Sequence, residues 1–252
     1  MTGGTGTIGR HVVAELTARG HEVRALSRHA ERYPVDLTTG AGLTAALAGV
    51  DVVVDASNAA SSTAAARATL VDGTRRLLAA ERDAGVRHHV LVSIVGSHDV
   101  PMAYYGVKVE QERAVSAGEV PWTVVAVTQF HEFVAGTLAG AARRGVVPLL
   151  RAPVQPVAAR DGASAVADAA EREPLRSTTT VAGPEVLDLR DAARAWRAAT
   201  GSRALPVRVP LPGRLGRALR AGGLTDPHPD ARGTTTFAGW LAAQPAASTA
   251  AR

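Results

Sequence analysis

The feature that most constrains this chain is its opening. Gly3-Gly4-Thr5-Gly6-Thr7-Ile8-Gly9 runs directly into a stretch of helical period at 9–19, and EVRALS, read as a strand, comes next at 22–27. Gly4, Gly6 and Gly9 fit the spacing GxGxxG, and Gly3, Gly6 and Gly9 fit GxxGxxG. Glycine at these positions permits a tight turn, close backbone approach to a pyrophosphate, and close packing of helix on strand. A helix that starts there aims its free amides at a phosphate. Gly3, Thr5, Gly6, Thr7, Ile8 and Gly9 are therefore candidate dinucleotide-cradling residues. A glycine-rich turn alone is weak evidence, and the alternating segments downstream give this one its weight.

Short apolar runs alternate with longer Ala/Leu/Arg-rich segments. Helices are expected at 41–48, 64–84 (closed by Gly85) and 104–117, and strands at 50–56, 89–95 and 122–127. VDVVVDA and HVLVSIV are near-continuous apolar runs, as in parallel strands covered on both faces. The expected fold class is α/β, a Rossmann-type doubly wound parallel sheet with a small substrate-side part after it. Residues 1–127 read as the dinucleotide-binding core and 128–243 as a smaller substrate-side region. In that region helices are expected at 136–145, 162–172 and 189–199, with a strand in STTTVAGPE and an extended LPVRVPLPG. The Ala/Ser/Thr-rich end, 244–252, reads as a frayed tail. Only Met1 and Thr2 precede the glycines, so the first, central strand reads as missing or truncated, with a natural start expected upstream.

Composition narrows the chemistry. With no cysteine among 252 residues, thiolate nucleophiles, disulfides and cysteine-ligated metals are excluded. The histidines lack metal-ligand spacing, and no apolar run approaches the roughly 18 residues of a membrane span. Neither a basic start nor an apolar leader opens the sequence, so a cytoplasmic location is expected. Net charge is +5, yet the arginines read as scattered and carry no aromatic ladder, so no nucleic-acid partner is expected. Oligomeric state is not legible.

After the 22–27 strand, an NAD-selective site carries Asp or Glu for the ribose 2′-hydroxyl. Ser27 and Arg28 stand there instead, and a guanidinium pairs with a 2′-phosphate, so NADP is expected over NAD. Asp36-Leu37 follows a shortened third segment, where the carboxylate would accept from the adenine amino group. Tyr104-Tyr105-Gly106-Val107-Lys108 contains YxxxK, which places phenol and ammonium one helical turn apart. Lys108 is the sole lysine among 28 basic residues. It would lower the phenol pKa and reach the nicotinamide ribose, with Tyr104 as acid/base and Ser93 orienting the substrate oxygen. The adjacent Tyr105 is the competing phenol. Gln129, Phe130, His131 and Phe133 come just after the 122–127 strand, where ligands bind in such sheets, although a histidine placed like His131 is more often a hydrogen-bonded structural one.

TGGTGTIGRHVV, ALSR, VLVSIVG, YYGVK and PWTVVAVTQFHEF together resemble the atypical short-chain dehydrogenase/reductase superfamily, and within it the NmrA-like, NAD(P)H-binding bacterial proteins. The resemblance continues through QPVAARDGA, VAGPEVLDL and TFAGWLA. It implies a nicotinamide cofactor, with Ala56, Ser57 and Asn58 alongside it, Arg28 on the 2′-phosphate and Lys108 at the ribose. The function this implies is hydride transfer between NADP(H) and a small carbonyl, quinone or enone-like compound. The same family also includes non-catalytic redox sensors, which is the alternative, while a sugar-nucleotide epimerase or dehydratase is a weaker third reading.

Overall fold

The computed structural model describes residues 1–59 and 61–244; the tail expected at 244–252 therefore lies, from 245 on, outside the described residues. The elements run α1 (Gly9–Ala18), α2 (Leu43–Leu47), β1 (Val52–Asp55), α3 (Thr63–Ala66), a π-helical stretch (Arg67–Asp72) and α4 (Gly73–Ala84). Then come β2 (His88–Ile94), α5 (Ala103–Ser116), β3 (Trp122–Val127), α6 (His131–Ala142), β4 (Val146–Leu149) and β5 (Pro153–Val154). The chain continues with α7 (Ala159–Glu171), β6 (Thr178–Ala182), β7 (Leu187–Asp188), α8 (Leu189–Thr200), β8 (Leu205–Arg208), α9 (Gly213–Arg220), β9 (Ala231–Arg232) and α10 (Phe237–Ala242).

The main sheet is parallel throughout, in the order β1-β2-β3-β6-β9. Its side chains alternate between two cores. Val54, Val90, Val92, Val125 and Val127 pack with α1 and α7 on one face. Val53, Leu91 and Val124 pack with α2 and α4 on the other. Two-sided burial explains why these strands read as continuous apolar runs. Each fully buried Val or Leu contributes roughly 1.5–3 kcal/mol of transfer free energy.

Beyond β1 the sheet continues only as single parallel bridges. Thr2 lies between Leu26 and Asp55, and Ser27 bridges Pro34. Thr2 N–H donates to Val54 O (3.0 Å), and Leu26 N–H to Met1 O (2.8 Å). The strand expected at 22–27 is thus reduced to a bridge at Leu26-Ser27. A parallel ladder needs a partner of matching length, and only Met1 and Thr2 run beside it. Next to Met1, a trough of about 280 Å³ separates residues 21–24 from β1.

The segment after Thr128 contributes α7, β6 and β9 to the main layers. α6, α8, α10 and β4 form a separate apolar cluster around Trp196 and Phe237. The helix expected at 136–145 begins instead at His131, with Phe130 at its N-cap. The one expected at 162–172 begins at Ala159. Both helices start on the turn ahead of the expected one, and neither uses a side-chain cap. Among the described residues no helix is long and apolar enough to cross a membrane.

Candidate cofactor and active site

The glycine loop turns between Thr2, held between Leu26 and the Asp55 end of β1, and α1. Gly3 has φ +65°, and a Cβ there would lie 2.5 Å from the Ala56 carbonyl carbon and 2.9 Å from Ser57 N. A Cβ on Gly9 would lie 2.8 Å from the Gly3 carbonyl carbon and 2.9 Å from Gly4 Cα. Both positions require glycine for space, and Gly3 also for conformation. Gly6 closes the turn by donating to Gly3 O at 2.9 Å. Thr5, Gly6 and Thr7 are exposed at the tip, while Ile8 and Gly9 are buried. α1 has no side-chain cap and no acidic residue in its first turn; Arg10 N–H already bonds Gly6 O (3.2 Å) and His11 N–H bonds Ile8 O (3.0 Å), so the amides open to an anion are those of the loop residues just ahead of Arg10.

Ser27 and Arg28 come after the Leu26 bridge beside this loop. Ser27 O is engaged by Ala30 and Val35 N–H groups (3.2 and 3.0 Å), which shapes the turn and leaves Arg28 exposed. Asp36 accepts from Thr38 N–H (2.8 Å) and Thr38 Oγ1 (2.6 Å), and these bonds hold its carboxyl below the usual range. Leu37 packs into the core beside Gly73.

At the carboxyl ends of β1 and β3, polar groups gather around two phenols. Tyr104, at the start of α5, donates to Asn58 Oδ1 at 2.7 Å. Tyr105 is buried, and its hydroxyl oxygen accepts from Gln129 Nε2 at 3.4 Å. Burial, and secondarily the neighbouring Tyr105, push the Tyr104 phenol up to about 12; burial also raises Tyr105. Ser57 Oγ, Thr128 Oγ1 and Gln129 Oε1 are buried with no hydrogen-bond partner among the described residues. Buried polar atoms are normally satisfied, so three orphans beside an uncapped glycine cradle fit a polar ligand running past Ala56–Asn58 toward Thr128. A dinucleotide is such a ligand, and the residues present fit it.

The structure does not bring Tyr104, Lys108 and Ser93 into one hydrogen-bonded set. Lys108 is buried and donates to Val92 O (2.9 Å) and Gln111 Oε1 (2.6 Å). Burial lowers its ammonium to about 8 against the raising charges of Asp55 and Glu112. The Tyr104 phenol is raised by burial, the opposite of the lowering expected from Lys108. Ser93 donates to Glu112, which also accepts from Ser97 and pairs with His98 at 2.6 Å.

Of the four residues expected on the substrate side, Gln129 reaches the Tyr105 phenol. Phe130 is half-buried against Gly162 and the α1/α7 core. His131 is fully buried, with its ring 5.3 Å from Phe237 and 5.7 Å from Trp240 and Nε2 3.0 Å from Thr235 O. It is committed to α10, and burial lowers its pKa. Phe133 is 64% exposed. Because α6 begins at His131, these side chains radiate around a helix instead of lining one wall.

Sequence reasoning missed the polar core beneath the site. Asp55 is fully buried and accepts from Thr2 Oγ1 (2.6 Å), Ser57 N–H (2.9 Å), Thr74 Oγ1 (3.1 Å) and Gln111 Nε2 (3.1 Å). Burial acts to raise its pKa, but the charge on His89 and the bonds from Ser57 and Thr2 outweigh it and leave it lowered. His89 is itself held by Glu81 at 2.9 Å. The available signals were a carboxylate closing the apolar run VDVVVDA, and Gln111 three residues after the lone lysine.

A family model described as NAD(P)H-binding matches residues 3–140. A "(4-alkanoyl-5-oxo-2,5-dihydrofuran-3-yl)methyl phosphate reductase" from Streptomyces griseus is 32% identical over 206 residues, covering 76% of this chain and 70% of that protein. A 3-beta-hydroxysteroid dehydrogenase from Mycolicibacterium neoaurum is 30% identical over 123 residues, 40% of this chain and 34% of that protein; the match thus spans about a third of the dehydrogenase. Among solved structures, the NADPH complex of an NADPH-dependent quinone oxidoreductase from Escherichia coli superposes with a TM-score of 0.74 at 19% identity, covering 95% of this chain and 97% of that one. That likeness is one of fold.

Proposed function

The chain belongs to the NAD(P)H-binding family, and from that premise we propose that it is an NADP(H)-dependent oxidoreductase acting on a small carbonyl, quinone or enone-like compound. The observation that carries this reading is the meeting of an uncapped glycine cradle with three unpartnered buried polar atoms beside two phenols. The Streptomyces griseus relative, named as the reductase of a phosphorylated oxo-dihydrofuran, supports an unsaturated or carbonyl substrate. Arg28, exposed where an NAD-selective site carries an acid, supports NADP.

When bound, the nicotinamide supplies the hydride. The chain's part is binding, orientation and proton handling. The glycine-loop amides and the α1 N-terminus hold the pyrophosphate, and Arg28 holds the 2′-phosphate. Ser57, Asn58 and Thr128 direct their polar atoms at the cofactor's path. Tyr104, protonated at neutral pH as any phenol is, turns its hydroxyl from Asn58 Oδ1 to the substrate oxygen and donates its proton there. Gln129 supplies a second polar contact to that oxygen. Lys108 acts as a positioning residue by tying α5 to β2 through Val92 O.

A second reading is favoured by a specific observation. Lys108 makes its hydrogen bonds to Val92 O and Gln111, not to Tyr104, and the phenol pKa is raised. A protein that binds NADP(H) without turnover and signals its redox state needs no tuned phenol. Side-by-side fluorescence titrations with NADPH and NADH, and then NADPH oxidation with quinones and cyclic enones, separate the two. Tighter NADPH binding with turnover supports the reductase. Binding that strongly prefers one redox form, without turnover, supports the sensor, and no dinucleotide binding by the folded protein defeats both.

A further inference from the structure

Between Asp191 and Asp226 the chain carries seven arginines and no acidic residue. This run of one-signed charge folds over the substrate side. β8, the 209–212 loop and α9 belong to it. Leu211, Leu215 and Leu219 share one apolar cluster with Tyr104, Tyr105, Ala152 and Val154. The arginine-rich segment is thereby fastened to the wall of the phenol site.

A cleft of about 320 Å³ opens here, lined by Arg151, Val209, Pro210, Leu211, Pro212 and Arg220. Its two cations come from separate parts of the chain, and both have donors to offer an anion. Arg220 Nη1 donates to Leu211 O at 2.8 Å, which fixes the guanidinium against the loop and leaves its other donors unused among the described residues. Helix and loop meet closely because residue 216 is glycine: a Cβ there would lie 2.5 Å from the Leu211 carbonyl carbon and 2.9 Å from Arg220 Nη1. Arg151 sits near Asp188, but that carboxylate is taken at both oxygens by Arg190 (3.0 and 3.2 Å). Among the described residues no carboxylate lines the cleft. Two guanidinium groups over a proline-stiffened apolar floor suit a compact oxyanion, whose oxygens accept from both forks.

We propose that this cleft is a subsite for an oxyanion group, of which a phosphate monoester is the type, carried by the molecule whose carbonyl or enone end meets Tyr104. The apolar part of that molecule lies along Leu211. Its role as substrate rests on the reductase reading; the anion site itself does not.

The test uses the full chain saturated with NADPH, so that the glycine cradle and Arg28 are occupied. Inorganic phosphate is titrated by calorimetry at low and moderate salt into the native protein, Arg151→Gln and Arg220→Lys. In parallel, turnover is compared for a hydroxymethyl cyclic enone and its phosphate ester. Hydrogen bonds to charged groups of this kind are worth roughly ten- to hundredfold each. Expected results are saturable phosphate binding that weakens with salt, loss of roughly tenfold or more in Arg151→Gln, and a preference for the ester that falls by a similar factor. Arg220→Lys keeps the charge but loses the fork, and is expected to show a partial loss in both assays. Phosphate binding unchanged in both variants, or binding only of a polyanion such as heparin, overturns the subsite. Equal turnover of the two enones overturns the substrate assignment and leaves the reductase standing. Turnover of neither, with phosphate binding still lost in Arg151→Gln, defeats the reductase reading while the anion site survives.

Discussion

Gly6→Ala and Gly9→Ala pull apart two things that the glycine loop does. At Gly9 the added methyl would meet the Gly3 carbonyl group, 2.8 Å from its carbon, and Gly4 Cα at 2.9 Å. All of these are backbone atoms, so the turn itself must move by about an ångström. Alanine recovers about 1 kcal/mol of helix propensity at the start of α1. Overpacking a tight site costs about 1–3 kcal/mol, and the backbone contact places Gly9→Ala at the upper end. The net expectation is a loss of about 1–2 kcal/mol in urea unfolding, together with loss of NADPH binding. At Gly6 the same methyl meets only Gly3 O, at 3.2 Å, and otherwise projects from the exposed tip. Stability should therefore change by less than about 1 kcal/mol. The methyl occupies the space through which a pyrophosphate reaches the loop amides, so NADPH affinity should fall at least tenfold, or about 1.4 kcal/mol. Denaturant curves and fluorescence titrations on the same preparations measure both quantities. A Gly6→Ala protein that binds NADPH as tightly as the parent would refute the cradle. A Gly9→Ala protein of undiminished stability would refute the steric argument.

Tyr104→Phe should lower kcat by about a hundredfold to ten-thousandfold, the range of a lost general acid, with NADPH affinity changed little; unchanged turnover would move the proton source to Tyr105. Arg28→Ala should weaken NADPH by roughly tenfold and NADH hardly at all, and an equal loss for both would make Arg28 structural. Lys108 has a folded pKa of about 8 against an ordinary 10.5, so the unfolded chain holds a proton that the folded chain releases between those values. Stability contributed by this group therefore rises with pH from about 8 to 10.5, by about 3 kcal/mol. Relative to Lys108→Met, the native protein should gain that slope in alkaline denaturation; parallel curves would mean that the ammonium is not desolvated.

How far the sequence reached depends on the kind of signal. Burial on both faces gives β1, β2 and β3 runs of consecutive apolar residues (Val52–Val54, Val90–Val92 and Val124–Val127), so these strands and the parallel sheet were legible from their residue types. α4 could be read to its end because Gly85 adopts φ +75° and closes it. The glycine loop was legible because backbone space, not side-chain chemistry, sets its residues. The strand at 22–27 was misread for a tertiary reason: its composition is strand-like, but ladder hydrogen bonds belong to pairs of segments, and its partner here is two residues long.

The same division holds at the site. YxxxK puts Tyr104 and Lys108 on one turn of a helix, and the spacing says no more than that. Which way the lysine points depends on what lies beneath α5. There Val92 O, Gln111 and the buried Asp55 drew the ammonium inward, because a desolvated charge goes to the nearest acceptors. Tyr104 met Asn58, and Tyr105 met Gln129, across more than twenty residues of chain in each case. Residue types alone carried the layered α/β fold and the glycine-rich turn. Tertiary packing settled which polar atoms found partners and which stayed unpartnered among the described residues, because satisfaction of a buried group depends on neighbours that sequence spacing does not specify.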